Sequence, residues 1–148
     1  MGEHELVEML FAEDDPSDVE FILRSLKKHD LASRVHAIAD GAEALDFIFC
    51  SGAYSGRDIK SLPKVILLDL KLPKVNGIEV LRRIKADERT RSIPVVIMSS
   101  SHQKNEMSEC YRLGANSYVV KPIDFEDFSE MIKRIGFYWL VTNQMPRG

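Results

Sequence analysis

Apolar residues fall in five short, nearly unbroken runs, and the polar stretches between them carry apolar positions three and four apart. Residues 6–12 form the first run, dense enough for a strand buried on both faces. Pro16-Ser17-Asp18 then opens a helix in which Val19, Ile22, Leu23 and Leu26 share one face. Residues 34–39 read as a second strand, weaker and nearer an edge. Asp40-Gly41-Ala42-Glu43 is a capping-box variant that starts a helix running through Phe49.

Residues 50–63 shift to Gly, Ser, Tyr and Lys, which predicts a surface loop. Residues 64–70 make the cleanest strand, followed by a loop from Leu72-Pro73 to Gly77 and a helix over 78–86 with Val80, Leu81 and Ile84 inward. A fourth strand covers 93–98, and a polar helix from about 104 to 113 ends at Gly114. The fifth strand covers 117–120, and Asp124 opens a last helix into the C-terminal region. Strand–helix alternation of this kind implies parallel strands, right-handed crossovers and helices on both faces. The predicted class is α/β, a doubly wound five-stranded sheet. With no repeat, low-complexity tract or linker, residues 1–148 read as one domain whose last helix and tail start near 124.

Composition narrows the function classes. At 148 residues, with 45% hydrophobic and 29% charged positions, the chain can bury a core as an ordinary soluble domain. A net charge of −3 leaves no basic footprint for nucleic acid. No apolar stretch reaches the ~18 residues of a membrane span. The acidic start around His4 lacks the features of a signal peptide. Cys50 and Cys110 are isolated and read as reduced thiols, so the expected location is the cytoplasm.

The chemistry sits where the apolar runs end. Glu13-Asp14 follows the first run, Asp69 the third, Ser99 the fourth and Lys121-Pro122 the fifth. In an open parallel sheet the loops after the strands share one edge, and ligands bind where strand order reverses. For the order 2-1-3-4-5, that crevice lies between the first and third strands, so residues a hundred positions apart converge. Three carboxylates there repel one another, by roughly 3 kcal/mol per ionised pair at ~5 Å and an effective dielectric of ~20. A divalent cation with hard oxygen ligands resolves the repulsion, and Mg²⁺ suits a small site completed by water. The histidines His4, His29, His36 and His102 have no zinc-like spacing. With the metal bound, Asp69 becomes a nucleophile toward phosphorus, Lys121 a partner for a phosphoryl oxygen and Ser99 a hydrogen-bond donor to another. Each residue alone has a plainer reading, as a helix cap, a loop or a surface hydroxyl. The joint occurrence in this order does not.

These stretches resemble the receiver domain of two-component response regulators over essentially the whole chain. The matching segments are Phe-Ala-Glu-Asp-Asp at 11–15, Ile-Leu-Leu-Asp-Leu-Lys-Leu-Pro at 66–73, Pro-Val-Val-Ile-Met-Ser at 94–99 and Tyr-Val-Val-Lys-Pro at 118–122. The resemblance implies a flavodoxin-like sheet of order 2-1-3-4-5 and a domain that acts on itself rather than on an external substrate. It implies that Asp69 accepts the phosphoryl group from a sensor histidine kinase. Asp14, Asp69 and the Lys71 carbonyl would ligate Mg²⁺, with Glu13 acting through metal-bound water. Ser99 and Tyr118 would form the switch pair, Lys121 would contact the phosphoryl group, and the bond to Pro122 would be cis. Asp15 falls outside the primary ligands. Lys71 and Ser101 occupy positions that tune dephosphorylation, and a lysine there implies a phosphoryl group that persists.

Glu-Asp-Asp-Pro-Ser-Asp-Val-Glu at 13–20, the long loop before the third strand and Gly-Phe-Tyr-Trp-Leu at 136–140 are similar to stand-alone regulators paired with bacterial phytochrome kinases, which lack an output domain. Other classes fit less well. A haloacid-dehalogenase-type phosphatase needs Asp-x-Asp after the first strand, whereas Asp69 follows the third and position 71 is lysine. A serine hydrolase lacks its Gly-x-Ser-x-Gly elbow, and a dinucleotide-binding domain lacks the Gly-rich first turn.

In the last helix Phe125, Phe128, Ile132, Ile135 and Trp139 recur at helical spacing and can face the core. Met131, Phe137, Tyr138, Leu140 and Val141 cannot all share that face, which predicts an exposed aromatic patch and a homodimer through this helix and its neighbours.

Overall fold

The computed structural model describes residues 6–31 and 34–146; the stretch around His4 lies outside them. Five strands, β1 (Met9–Ala12), β2 (Val35–Ile38), β3 (Val65–Leu68), β4 (Val95–Ser99) and β5 (Ser117–Val120), alternate with α1 (Pro16–Lys28), α2 (Gly41–Phe49), α3 (Gly77–Ala86), α4 (Lys104–Arg112) and α5 (Phe125–Phe137). The strands form one parallel sheet in the order β2-β1-β3-β4-β5, with Ala12 beside both Ile38 and Leu68 and Ser99 beside Val120. This is the predicted class and order.

The period-2 alternation of each strand divides the core in two. Leu10, Ala12, Ile66, Leu68 and Ile97 face α2 and α3 through Phe47, Ile48, Val80, Leu81 and Ile84. Met9, Phe11, Leu67, Val96 and Met98 face the opposite way, onto Ile22 and Leu26 of α1 and Phe128 and Ile132 of α5. The central strands are fully buried while β2 and β5 are half-covered, so the weak apolar signal of residues 34–39 does mark an edge. The helix starts follow their caps. Asp15 accepts from Ser17 N at 2.9 Å, Asp40 from Glu43 N at 2.7 Å and Asn76 from Glu79 N at 2.9 Å.

Three expectations are corrected. Residues 50–63 are not simply a surface loop. Tyr54, in a 3₁₀ turn (Gly52–Tyr54), and Arg57 are both buried. The Arg57 guanidinium lies 3.8 Å from the centre of the Phe47 ring and donates to the carbonyls of Phe47 and, at 3.0 Å, Ser61. Charge does not prevent burial where the cation is stacked and hydrogen-bonded. Tyr54 donates to Glu43 Oε2 at 2.7 Å and lies 2.9 Å from His36 Nε2.

In the last helix, Phe125 is 73% exposed because it lies at the first turn, beyond the reach of the sheet. A π-helical turn (Tyr138–Thr142) then alters the period, so Leu140 is buried and Trp139 is half-buried against the same core. Lys64 Nζ fixes the turn by donating to the Leu140 carbonyl at 3.1 Å. Phe137, Tyr138 and Val141 remain exposed, so the end of the chain both packs back and presents an apolar patch. Finally, the bond before Pro122 is trans, as is every peptide bond among the described residues. The two X–Pro isomers differ by only about 0.5–1 kcal/mol, so the dipeptide itself does not decide between them.

Candidate functional site

The parallel register carries the acid-bearing ends of β1 and β3 to one level. Asp69 N donates to the Ala12 carbonyl at 3.0 Å and Glu13 N to the Ile38 carbonyl at 3.0 Å, so both acids leave the sheet at its last ladder bonds. At the other side of the crevice Lys121 N donates to the Ser99 carbonyl at 2.8 Å, which sets the exit of β5 by that of β4. Glu13 and Asp69 are buried and Asp14 is exposed. A carboxylate oxygen from each of these three lies within 4.8 Å of the other two.

The loop behind Asp69 is held by two close backbone approaches. Gly77 N donates to the Leu70 carbonyl at 2.9 Å, and a Cβ at Gly77 would lie 2.3 Å from the Asp69 carbonyl oxygen. Gly41 N donates to the Pro73 carbonyl at 3.1 Å, and a Cβ there would lie 1.8 Å from the Val75 carbonyl oxygen. Neither position admits a side chain.

Lys121 reaches across the crevice. Its ammonium donates to Glu13, to Asp69 Oδ2 at 3.3 Å and to Asp18 Oδ2 at 3.1 Å. Asp69 Oδ1 also accepts from Lys71 N at 3.2 Å, and Glu13 Oε2 accepts from Asp15 N at 3.2 Å. Burial pushes the Glu13 carboxyl up to about 7; the Asp69 charge adds to this, and the Lys121 bond only partly offsets it. Burial alone would lower Lys121, but its bond to Glu13 and the charges of Asp69 and Glu13 hold it above the usual lysine value. Three acids thus share one ammonium, and Asp14 receives none of its bonds.

Ser99 is buried, accepts from Ser101 N at 3.1 Å and donates to Glu106 Oε1 at 3.4 Å. Tyr118 OH donates to the Ser101 carbonyl at 3.1 Å and also meets Glu106 Oε1 at 3.2 Å. Burial, with the Glu106 charge, pushes the phenol up.

Every sequence-predicted side chain lies at this edge. Glu13, Asp14, Asp69 and Lys121 form one cluster, and Ser99 and Tyr118 meet through Glu106. Asp15 caps α1. Asp18 and Glu106 also bond within this edge, and the sequence pattern does not single them out. Each is an acid in the first turn of a helix leaving this edge, where an acid is already expected for the helix dipole.

Residues 9–133 match the response regulator receiver domain family. The chain belongs to that family. It is 38% identical over 138 residues to the probable methanogenesis regulatory protein FilR2 of Methanothrix harundinacea, covering 93% of this chain and 86% of that one. The Mn²⁺-bound structure of the Synechocystis response regulator Rcp1 is similar at 32% identity with a TM-score of 0.86, over 94% of this receiver and 98% of Rcp1. The bacteriophytochrome response regulator RtBRR is 43% identical with a TM-score of 0.75, over 97% of this receiver and 86% of that protein. Fold, acid cluster and family agree on a metal-dependent phospho-aspartate signalling switch of two-component systems, acting on itself rather than on an external substrate.

No helix of the described residues is long and apolar enough to cross a membrane.

Proposed function

We propose that Asp69 of this receiver accepts a phosphoryl group from the phosphohistidine of a sensor kinase. The observation that carries the assignment is the position of Asp69. It is buried, converges with Glu13 and Asp14 within 4.8 Å, and has the Lys121 ammonium 3.3 Å from one oxygen. An Asp69 oxygen attacks phosphorus, the P–N bond to the histidine breaks, and the imidazole leaves with the electron pair and takes up a proton. Lys121 follows the charge onto the phosphoryl oxygens, and Ser99 turns its hydroxyl from Glu106 to another of them. Tyr118, freed from the shared carboxylate, can then take a new ring position and change the outer surface.

The hard-oxygen donor set fits a divalent cation, which we assign as Mg²⁺ held by Asp14, Asp69 and the Lys71 carbonyl, with Glu13 beside it. Bound there, the cation would neutralise the acids and the phosphoryl oxygens. The bacteriophytochrome regulators among the similar proteins favour a phytochrome-type kinase as donor, and the free thiols of Cys50 and Cys110 favour a cytoplasmic setting. The exposed Phe137, Tyr138 and Val141 support a homodimer through α5 and the turn after it.

The test is intact-mass spectrometry after incubation with acetyl phosphate and Mg²⁺. A gain of about 80 Da, lost with EDTA and in Asp69→Asn, is the expected result. No gain from acetyl phosphate or from a cognate kinase would refute the assignment.

A further inference from the structure

Asp18 lies outside the three acids whose oxygens converge, yet it takes one of the three bonds that Lys121 makes. Its place is fixed by the start of α1. Asp15 accepts from Asp18 N at 3.4 Å and Pro16 is the first helical residue, so the Asp18 side chain is presented to the crevice one turn in. The contact spans 103 residues and seats the lysine at 3.1 Å, against 3.3 Å for Asp69.

An ammonium has three donors, and here Glu13, Asp18 and Asp69 use them all. The bond to Asp69 passes to a phosphoryl group carried on that residue, and for the ammonium to move outward onto its oxygens one of the other two must also be given up. The Glu13 side chain is 1% exposed, and leaving it unpaired is costly. The Asp18 side chain is 29% exposed, so water can replace the lysine there.

We propose that Asp18 is a positioning residue that holds Lys121 in the resting receiver and competes with the phosphoryl group for it. The inference rests on Asp69 being the phosphoryl acceptor. Asp18 acts on the reaction only through Lys121: it sets how readily the lysine transfers, and so the balance between resting and phosphoryl-bound forms. Its effect on the cation has the opposite sign, because a nearby negative charge favours a bound metal.

The probe is beryllofluoride with Mg²⁺, read by ¹⁹F NMR, alongside Mg²⁺ titration without it. Asp18→Asn and Asp18→Ala should each bind beryllofluoride about 3- to 10-fold more tightly than wild type. Their Mg²⁺ affinity alone should stay equal or fall, and Asp18→Glu should restore wild-type beryllofluoride affinity. In a Lys121→Met background the Asp18 substitutions should have no effect. A merely structural role would weaken both ligands together. Unchanged or weaker beryllofluoride binding in Asp18→Asn, with wild type binding normally, overturns the competition. A wild-type protein that binds neither beryllofluoride nor a phosphoryl group overturns the acceptor assignment itself.

Discussion

The Tyr118 hydroxyl lies 3.2 Å from Glu106 Oε1, the same oxygen that the Ser99 hydroxyl reaches at 3.4 Å. One carboxylate in the first turn of α4 therefore holds both hydroxyls at once. Ser99 cannot donate its single proton to a phosphoryl oxygen while it donates to Glu106. Releasing this latch should ease phosphorylation. Glu106→Ala is expected to take phosphate from acetyl phosphate about fivefold faster, the equivalent of one hydrogen bond of about 1 kcal/mol. Initial rates followed by intact mass would show it, and an unchanged rate would remove Glu106 from the switch.

Gly77 bears on the same site through the backbone. An added Cβ would meet the Asp69 carbonyl oxygen at 2.3 Å and the Leu70 Cα at 2.6 Å, and backbone atoms cannot step aside as a flexible side chain does. Gly77→Ala should destabilise the domain by about 3 kcal/mol, seen as a lower urea midpoint. The folded fraction should also phosphorylate more slowly, because the displaced carbonyl belongs to the acceptor residue. A variant with wild-type stability and rate would show that the loop yields freely.

The sequence announces the parts of this fold whose burial is apolar and periodic. The runs ending at Ala12 and Leu68 are strands because both faces are covered, and the capping pattern at Asp40 marks the start of α2. Arg57 is hidden for the opposite reason. A charged residue in a Gly- and Ser-rich stretch reads as solvated until the carbonyls of Phe47 and Ser61 are in place to receive it. Phe125 misleads because helical spacing tells which residues share a face but not where along the helix the sheet ends. Asp18 and Glu106 were visible only as helix-start acids. Their partners Lys121 and Tyr118 lie 103 and 12 residues away, and the first of those distances is closed only by the sheet order.

Arg57 offers a test of stability without chemistry. Its guanidinium stacks on Phe47, bonds two carbonyls and reaches Cys50 Sγ at 3.4 Å, well apart in sequence from the acids of the crevice. Arg57→Met should cost about 2–4 kcal/mol in urea unfolding, through loss of the cation–π contact and of the guanidinium's bonds to the Phe47 and Ser61 carbonyls. Arg57→Lys should recover little, since a single ammonium cannot span both carbonyls while stacking. Phosphorylation per folded molecule should stay close to wild type in both. A large loss of phosphorylation at unchanged stability would mean that the 50–63 segment communicates with Asp69.

Cys110 gives a stability signal with a definite sign. Its side chain is fully buried in α4, and burial, with the charges of Glu106 and Glu109, pushes the thiol up from 9.0 to about 11. Between those values the unfolded chain releases a proton that the folded one keeps, so the folded state binds more protons and its stability falls as pH rises. The contribution is intact below pH 9 and is lost progressively toward pH 11. Urea unfolding of wild type and Cys110→Ala, each at about pH 8.5 and 10.5, isolates it: the advantage of wild type should shrink by about 1–2 kcal/mol at the higher pH. Alkylation offers a second reading. Half-buried Cys50 should react with iodoacetamide in the native protein, while Cys110 should react only as fast as the domain opens. Native reaction of Cys110 at a rate independent of added urea would mean that its thiol is reached without unfolding, and the pH argument would fall with it.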